Sequence, residues 1–291
     1  MAELINILLR LALYVDLLLL FGLALFGLYS VDAALRFRPM LRGMALIGAL
    51  LSVAGLVLMT RAMSGETAFA ALWPHLQMMV LETDVGVAWA LRMIALIAVV
   101  IWPGLRLTSL AGAVALASLA WSGHGAMDEG SQRFWHFLSD ILHLLAAGAW
   151  LGAMLALILM SRLDALCSEA RIRSLADSVK RFEGVGAAIV LILSVTGVAN
   201  YLFIVGPTLG EVLLGTYGIL LAIKVVLFGG MLVLAALNRF HLGPLLEQSL
   251  RAGQHQVAAN ALRRSVALEL VIALLIVGLV AWLGTLSPEP G

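Results

Sequence analysis

Histidine, aspartate and histidine recur at positions 136, 140 and 143 in the segment Gln132-Arg133-Phe134-Trp135-His136-Phe137-Leu138-Ser139-Asp140-Ile141-Leu142-His143. At 3.6 residues per turn, the i, i+4, i+7 spacing puts all three on one helical stripe. Neutral imidazole and ionised carboxylate both offer lone pairs, so the stripe is equipped for metal ligation or proton relay. The two histidines lie about 10 Å apart along the axis at 1.5 Å per residue. One ion on a straight helix is therefore not easily bound by both, whereas Asp140 reaches either. The stripe reads as a stepwise ion path, or as an outer site with a deeper relay.

Upstream stands Trp121-Ser122-Gly123-His124-Gly125-Ala126-Met127-Asp128, where flanking glycines let the backbone bring the His124 imidazole close to a ligand. His75 and the thioethers of Met59, Met63, Met78, Met79 and Met127 fall in the same outer half of the chain. Thioether selects Cu(I), imidazole accepts either copper state, and hard cations want oxygen, so this mixture favours copper. A methionine by itself is an ordinary packing residue; the histidines give the methionines their meaning. The candidate metal ligands are His124, His136, Asp140, His143, Met127 and His75.

The elements that must position these groups are membrane helices. Of 291 residues, 63% are hydrophobic and 12% charged, and the mean hydropathy is +1.06, beyond what a soluble core requires. Apolar runs long enough to cross a ~30 Å hydrocarbon layer occur at 4–30, 43–61, 84–103, 105–121, 134–160, 184–205, 214–237 and 265–286. The expected fold is an all-α polytopic bundle of about eight transmembrane helices. Three regions are expected: 1–160 with helices 1–5 and the His/Met cluster, a cytoplasmic basic loop at 161–183, and 184–291 with helices 6–8. The first run lacks a basic n-region and is interrupted by Arg10 and Asp16, so it reads as a retained helix rather than a signal peptide.

Lysine and arginine collect in alternate loops, 32–42, 103–106, 161–183 and 238–264, while Glu66, Glu82, Asp84, Asp128, Glu129 and Glu211 collect in the others. By the positive-inside rule the basic loops are cytoplasmic and both termini periplasmic. Segment 68–79 is expected to form an interfacial helix broken near Pro74. A net charge of +1 gives no reason to expect nucleic acid, and the single Cys167 excludes an internal disulfide framework. No Gly-x-x-x-x-Gly-Lys-Ser/Thr phosphate cradle is present, and the chain is expected to be no enzyme.

Charges inside spans are costly, at least ~2.5–3.5 kcal/mol on insertion scales, and normally face the bundle interior. Asp16, Arg92, Lys224 and Glu269 are the candidates for an intramembrane relay. The alternative is that they form buried ion pairs, with Lys224 gating the path or holding Asp16 or Asp140. Gly148 and Gly152 form a small-xxx-small face for close helix contact.

Several stretches together resemble the bacterial copper resistance protein D family. They are Gly123-His124-Gly125-Ala126, His143 through Gly152, Arg181-Phe182-Glu183-Gly184, Thr196-Gly197-Val198-Ala199-Asn200-Tyr201, Leu214-Gly215-Thr216-Tyr217-Gly218 with Lys224, Asn238-Arg239, and Leu262-Arg263-Arg264-Ser265 with Glu269. The resemblance implies a multi-pass inner-membrane protein of copper homeostasis that moves Cu(I) or Cu(II). It also implies a separate periplasmic copper-binding partner of the CopC type. The expected route is capture by His124 and His136 with methionine help, then transfer to Asp140 and His143. Binding is expected to weaken at low pH, because imidazole must be neutral to ligate. The other readings are a b-type haem cytochrome, for which deep histidines are too few, and a copper-binding scaffold that transports nothing.

Overall fold

The structure, a computed structural model, describes residues 2–123, 130–161, 169–207, 215–251 and 255–286. Among the described residues the chain is helical without strands. Hydrocarbon offers no hydrogen-bonding partner, so a spanning backbone must satisfy its own N–H and C=O groups, which a helix does. The helices are α1 (Ala2–Tyr29), α2 (Val31–Ser64), α3 (Phe69–Glu82), α4 (Asp84–Ile101), α5 (Leu105–Ala117), α6 (Gly130–Met160), α7 (Glu169–Ile204), α8 (Thr216–Leu237), α9 (Gly243–Arg251) and α10 (His255–Leu283). A 3₁₀ turn, Ser118–Ser122, extends α5, and a π turn, Asn238–Leu242, joins α8 to α9. Eight of these segments are long and apolar enough to cross a membrane, in agreement with the hydropathy reading.

α1 is the central pillar and packs on α2, α5, α6 and α10. Leu17, Leu20, Leu23, Ala24 and Phe26 are completely enclosed. Its closest neighbour is α6, and the reason is glycine. A Cβ on Gly22 would run into the Gly148 carbonyl and the Gly152 Cα, and a Cβ on Gly152 would run into the Gly22 backbone. Without a hydrophobic drive between helices in lipid, such backbone approach supplies van der Waals contact that larger residues would prevent. The expected Gly148/Gly152 face is thus real, with Gly22 as its partner.

The start of α1 and the end of α10 lie on one face, the terminal face. Arg10, near the start of α1, donates from Nη1 to the Gly284 carbonyl just beyond α10, at 3.1 Å. On the opposite face, Arg181 Nη1 donates to the Tyr29 carbonyl at 2.8 Å. There a cation sits at the negative C-terminal end of α1, where the helix dipole favours it.

Two expectations about local structure are corrected. α3 runs unbroken through Pro74. The proline sits in the second turn, so the helix loses its N–H to the residue four earlier but is held by apolar docking. Leu72, Leu76 and Met79 bury against Leu56, with Val57 and Trp89 packed alongside. The basic segment read as a loop over 161–183 is helical from Glu169 onward, because it forms the first turns of the long α7. α7 leans there on α9, with Lys180 Nζ 3.7 Å from Glu247 Oε1.

Candidate functional site

α6 and α7 run antiparallel, and their polar residues meet in register. Near the terminal face the His136 ring stacks on Phe203, with centroids 5.0 Å apart and planes 20° from parallel. One turn deeper, Asn200 Nδ2 donates to Asp140 Oδ1 at 2.7 Å. Another turn in, His143 Nδ1 meets Thr196 Oγ1 at 2.8 Å. The Ser139 hydroxyl donates to the Thr196 carbonyl at 3.3 Å. An i, i+4, i+7 stripe on one helix is matched by positions 203, 200 and 196 on its neighbour, as antiparallel packing requires.

This ladder fixes orientations. The Thr196 hydroxyl has one proton, and it donates that proton to the Ile192 carbonyl at 2.6 Å. It can therefore only accept from His143, which places the ring proton on Nδ1 and the lone pair on Nε2. Metal-ligating histidines characteristically donate their other ring N–H in this way, which sets tautomer and ring angle together. Gly197 supports the same ring; a Cβ there would lie 3.7 Å from His143 Cε1. His136 Nε2 lies 3.7 Å from Asp140 Oδ2. His136 is also more enclosed than its place near the helix start suggests, with only 1% of its surface exposed.

Asp140 and His143 open onto a cavity of about 170 Å³ shared by α1, α6, α7, α8 and α10. Arg10, Tyr14, Asn200, Tyr201, Tyr217 and Lys224 also line it. Lys224 faces this space together with Asp140 and His143. Of the two expected partners for Lys224, Asp140 shares this cavity and Asp16 does not line it. Gly123 also lies against the site, since a Cβ there would be 3.7 Å from Asp140 Oδ2.

His124 and Met127, expected as ligands, lie outside the described residues, as does Cys167. His75 sits on α3, which packs against α2 and α4. It belongs to a different part of the terminal face from the α6 ladder, because the helix that carries it is held there by Leu72, Leu76 and Met79. Met59 and Met63 line a separate cavity between α1, α2 and α4. Met78 is exposed, and Met79 is packed in the small core under α3. Among the described residues no three His, Cys, Asp or Glu side chains converge into a ligand cage.

Among the described residues Asp16, Arg92 and Glu269 form no ion pair with one another. Asp16 is buried, and Gly48 leaves room for its carboxylate; a Cβ there would lie 2.5 Å from Oδ2. Arg92 is buried two turns into α4. Glu269 is enclosed at the other end of the bundle, where Trp150 Nε1 donates to Oε1 at 2.6 Å and Asn238 Nδ2 donates to Oε2 at 2.8 Å. The reading as mutual ion pairs is therefore corrected for Asp16, Arg92 and Glu269, which are accommodated by glycine space, a cavity and neutral donors respectively.

Trp150, Asn238, Thr196, Asn200 and Phe203 are the residues that sequence reasoning did not single out as partners. Thr196 and Asn200 carried a usable signal, an i, i+4 polar pair inside an apolar run. Trp150→Phe removes the indole N–H from the Glu269 carboxylate and keeps most of the ring volume. The variant should lose about 1.5–3 kcal/mol, the usual worth of a hydrogen bond to a charged group. Thermal unfolding in detergent, beside Trp282→Phe as an exposed control, checks this; equal midpoints for the two variants would contradict it.

Eight spans, a polar ladder on α6 and α7, and an ionisable cavity at their end define a polytopic membrane protein with a candidate ion site in its helical core. The family model described as copper resistance protein D-like, N-terminal domain, matches residues 1–135, and the family model described as copper resistance protein D matches residues 176–283. The chain is 50% identical to "Copper resistance protein D" of Pseudomonas syringae pv. tomato, over 99% of this chain and 98% of that protein. It is 27% identical to "Inner membrane protein YebZ" of Escherichia coli (strain K12), over 94% of this chain and 95% of that protein. No solved structure matches it. The chain belongs to the copper resistance protein D family.

Proposed function

We propose that this protein carries copper across the bacterial inner membrane, taking it up from the face on which both termini lie. The observation that supports the reading most is the His136, Asp140, His143 ladder with its partners on α7. It aligns one imidazole for ligation and leads from the terminal face into a cavity within the bundle. The terminal face is periplasmic in this reading, because lysine and arginine gather in the opposite loops. The relative named for the inner membrane supports the choice of membrane, and the one named for copper resistance supports the choice of cargo.

Copper is the cargo. His136, with Asp140, receives it near the surface; His143 takes it deeper, its Nδ1–H anchored on Thr196. Lys224 stands across the cavity from Asp140, so a cation meets repulsion until the carboxylate offsets it, and the pair acts as an electrostatic gate. His124 is the natural extra ligand, since Gly123 lies against Asp140. The role is transport rather than catalysis, and a periplasmic copper carrier of the CopC type is the proposed donor or acceptor.

The test is copper stoichiometry of purified protein, with His124→Ala, His136→Ala, His143→Ala and Thr196→Val beside wild type. Each histidine variant should lose bound copper. Thr196→Val removes only the support of His143 and should weaken copper binding about 10–100-fold. Metal content indifferent to all four substitutions would sink the site. Copper bound without flux in proteoliposomes would leave a scaffold, and a haem band in the visible spectrum a cytochrome.

A further inference from the structure

A second cavity, of about 760 Å³, opens on the terminal face between α1, α2 and α4. Arg92 and Ser52 line it deep in the membrane half, 5% and 1% exposed. Arg92 Nε and Ser52 Oγ are both buried without a hydrogen-bond partner. Both atoms are donors. The serine case is telling, because a helical hydroxyl usually donates to the carbonyl one turn earlier, as Thr60 does to Leu56 at 2.9 Å. Ser52 instead keeps its hydroxyl available, while its carbonyl accepts from Trp89 Nε1 at 3.0 Å.

A guanidinium inside the hydrocarbon zone needs an acceptor. The carboxylates on this cavity, Glu3 and Glu66, are exposed at its mouth and form no ion pair with Arg92. Asp16 is not on its wall. Arg10 and Arg61 also border the cavity, one Arg10 nitrogen being held by the Gly284 carbonyl. The Arg92 guanidinium and the Ser52 hydroxyl, both buried on the wall of this cavity, match the oxygens of a phosphate, which arginine recognises through its planar fork. The remaining wall is apolar, with Leu9, Leu13, Leu56 and Met59. Inorganic phosphate would leave that wall wet, whereas a phosphate ester with an acyl body covers both parts.

We propose that this cavity binds the phosphate group of an anionic phospholipid from the surrounding bilayer, with Arg92 and Ser52 as its deep donors. The site is independent of the copper ladder, although Arg10, Tyr14 and Leu119 border both cavities.

The test uses the full-length protein in detergent, titrated with phosphatidylglycerol, with diacylglycerol as the same body lacking phosphate, and with inorganic phosphate. Binding is read by native mass spectrometry and by the thermal midpoint. Phosphatidylglycerol should bind and raise the midpoint, and diacylglycerol should do neither. Arg92→Gln should weaken binding about tenfold or more, and Ser52→Ala about fivefold. Arg106→Gln, at the far end of α5, should bind like wild type. If Arg92→Gln does not fold, Ser52→Ala still decides. Saturation by inorganic phosphate with the same sensitivity to both variants would support the anion site and make free phosphate its source. Equal binding of the two lipids, or wild-type affinity in both Arg92→Gln and Ser52→Ala, would overturn the proposal.

Discussion

Gly22→Val is expected to prevent the native bundle from assembling. At this crossing the α1 and α6 backbones are so close that a Cβ on Gly22 falls on the Gly148 carbonyl and the Gly152 Cα. Those are main-chain atoms, which cannot rotate away as a side chain can. Accommodation therefore requires α1 to separate from α6, and α1 also carries α2, α5 and α10. Overpacking of a close contact costs about 1–3 kcal/mol when side chains can adjust; here about 3 kcal/mol or more is expected. The measurement is the yield of monodisperse protein in mild detergent and its thermal midpoint. Gly229→Ala is the control, because a Cβ there meets nothing within 4 Å. It should be neutral or stabilising by up to about 1 kcal/mol, from improved helix propensity. A Gly22→Val protein with wild-type yield and midpoint would show that the helices do not cross this closely.

Asp140→Leu should abolish copper binding and also destabilise the protein, and the two effects should come apart in a double variant. The carboxylate accepts from Asn200 and faces Lys224 across the cavity. Removing it strands an amide donor and a cation together. Removing one partner of a buried charge pair typically costs about 3–5 kcal/mol. The lower end applies here, because the pair borders a cavity that is not sealed. Replacing the lysine as well, in Asp140→Leu/Lys224→Met, removes the stranded charge and should restore most of the lost stability. Copper binding should stay absent, since the ligand is gone. Thermal midpoints and copper content of the wild type, both single variants and the double variant form the cycle. Additive losses in the double variant would mean that Lys224 and Asp140 do not communicate, and the gate would then fall.

The helical ladder shows how much of the site a sequence carries. His136, Asp140 and His143 were legible because helical periodicity is a one-dimensional property. Three polar residues on one face of an apolar run must face protein or water rather than lipid. Thr196, Asn200 and Phe203 were not legible as their partners, although all three stand in plain view. Their role depends on α6 and α7 running antiparallel at one particular axial offset. That offset comes from packing along the whole length of both helices, and no local signal fixes it. The fate of Lys224 is similar: Asp16 and Asp140 were equivalent candidates in the sequence, and only the arrangement of α1 and α8 around α6 separates them. Pro74 shows the opposite failure, where a strong local signal for a break was overruled by burial of Leu72, Leu76 and Met79.

The sequence by itself determined that the chain is helical and crosses a membrane eight times. Long apolar runs and the absence of hydrogen-bond partners in hydrocarbon leave no other backbone solution. It also determined that Gly148 and Gly152 mark a close helix contact. Only the tertiary structure decided that Gly22 is the partner in that contact. Only it decided that Glu269 is held by Trp150 and Asn238 rather than by a cation, and that Arg92 and Ser52 share one cavity. These are facts about which helix lies beside which and at what height. In lipid that choice rests on the sum of many small van der Waals contacts, a sum over pairs of surfaces that no single helix contains.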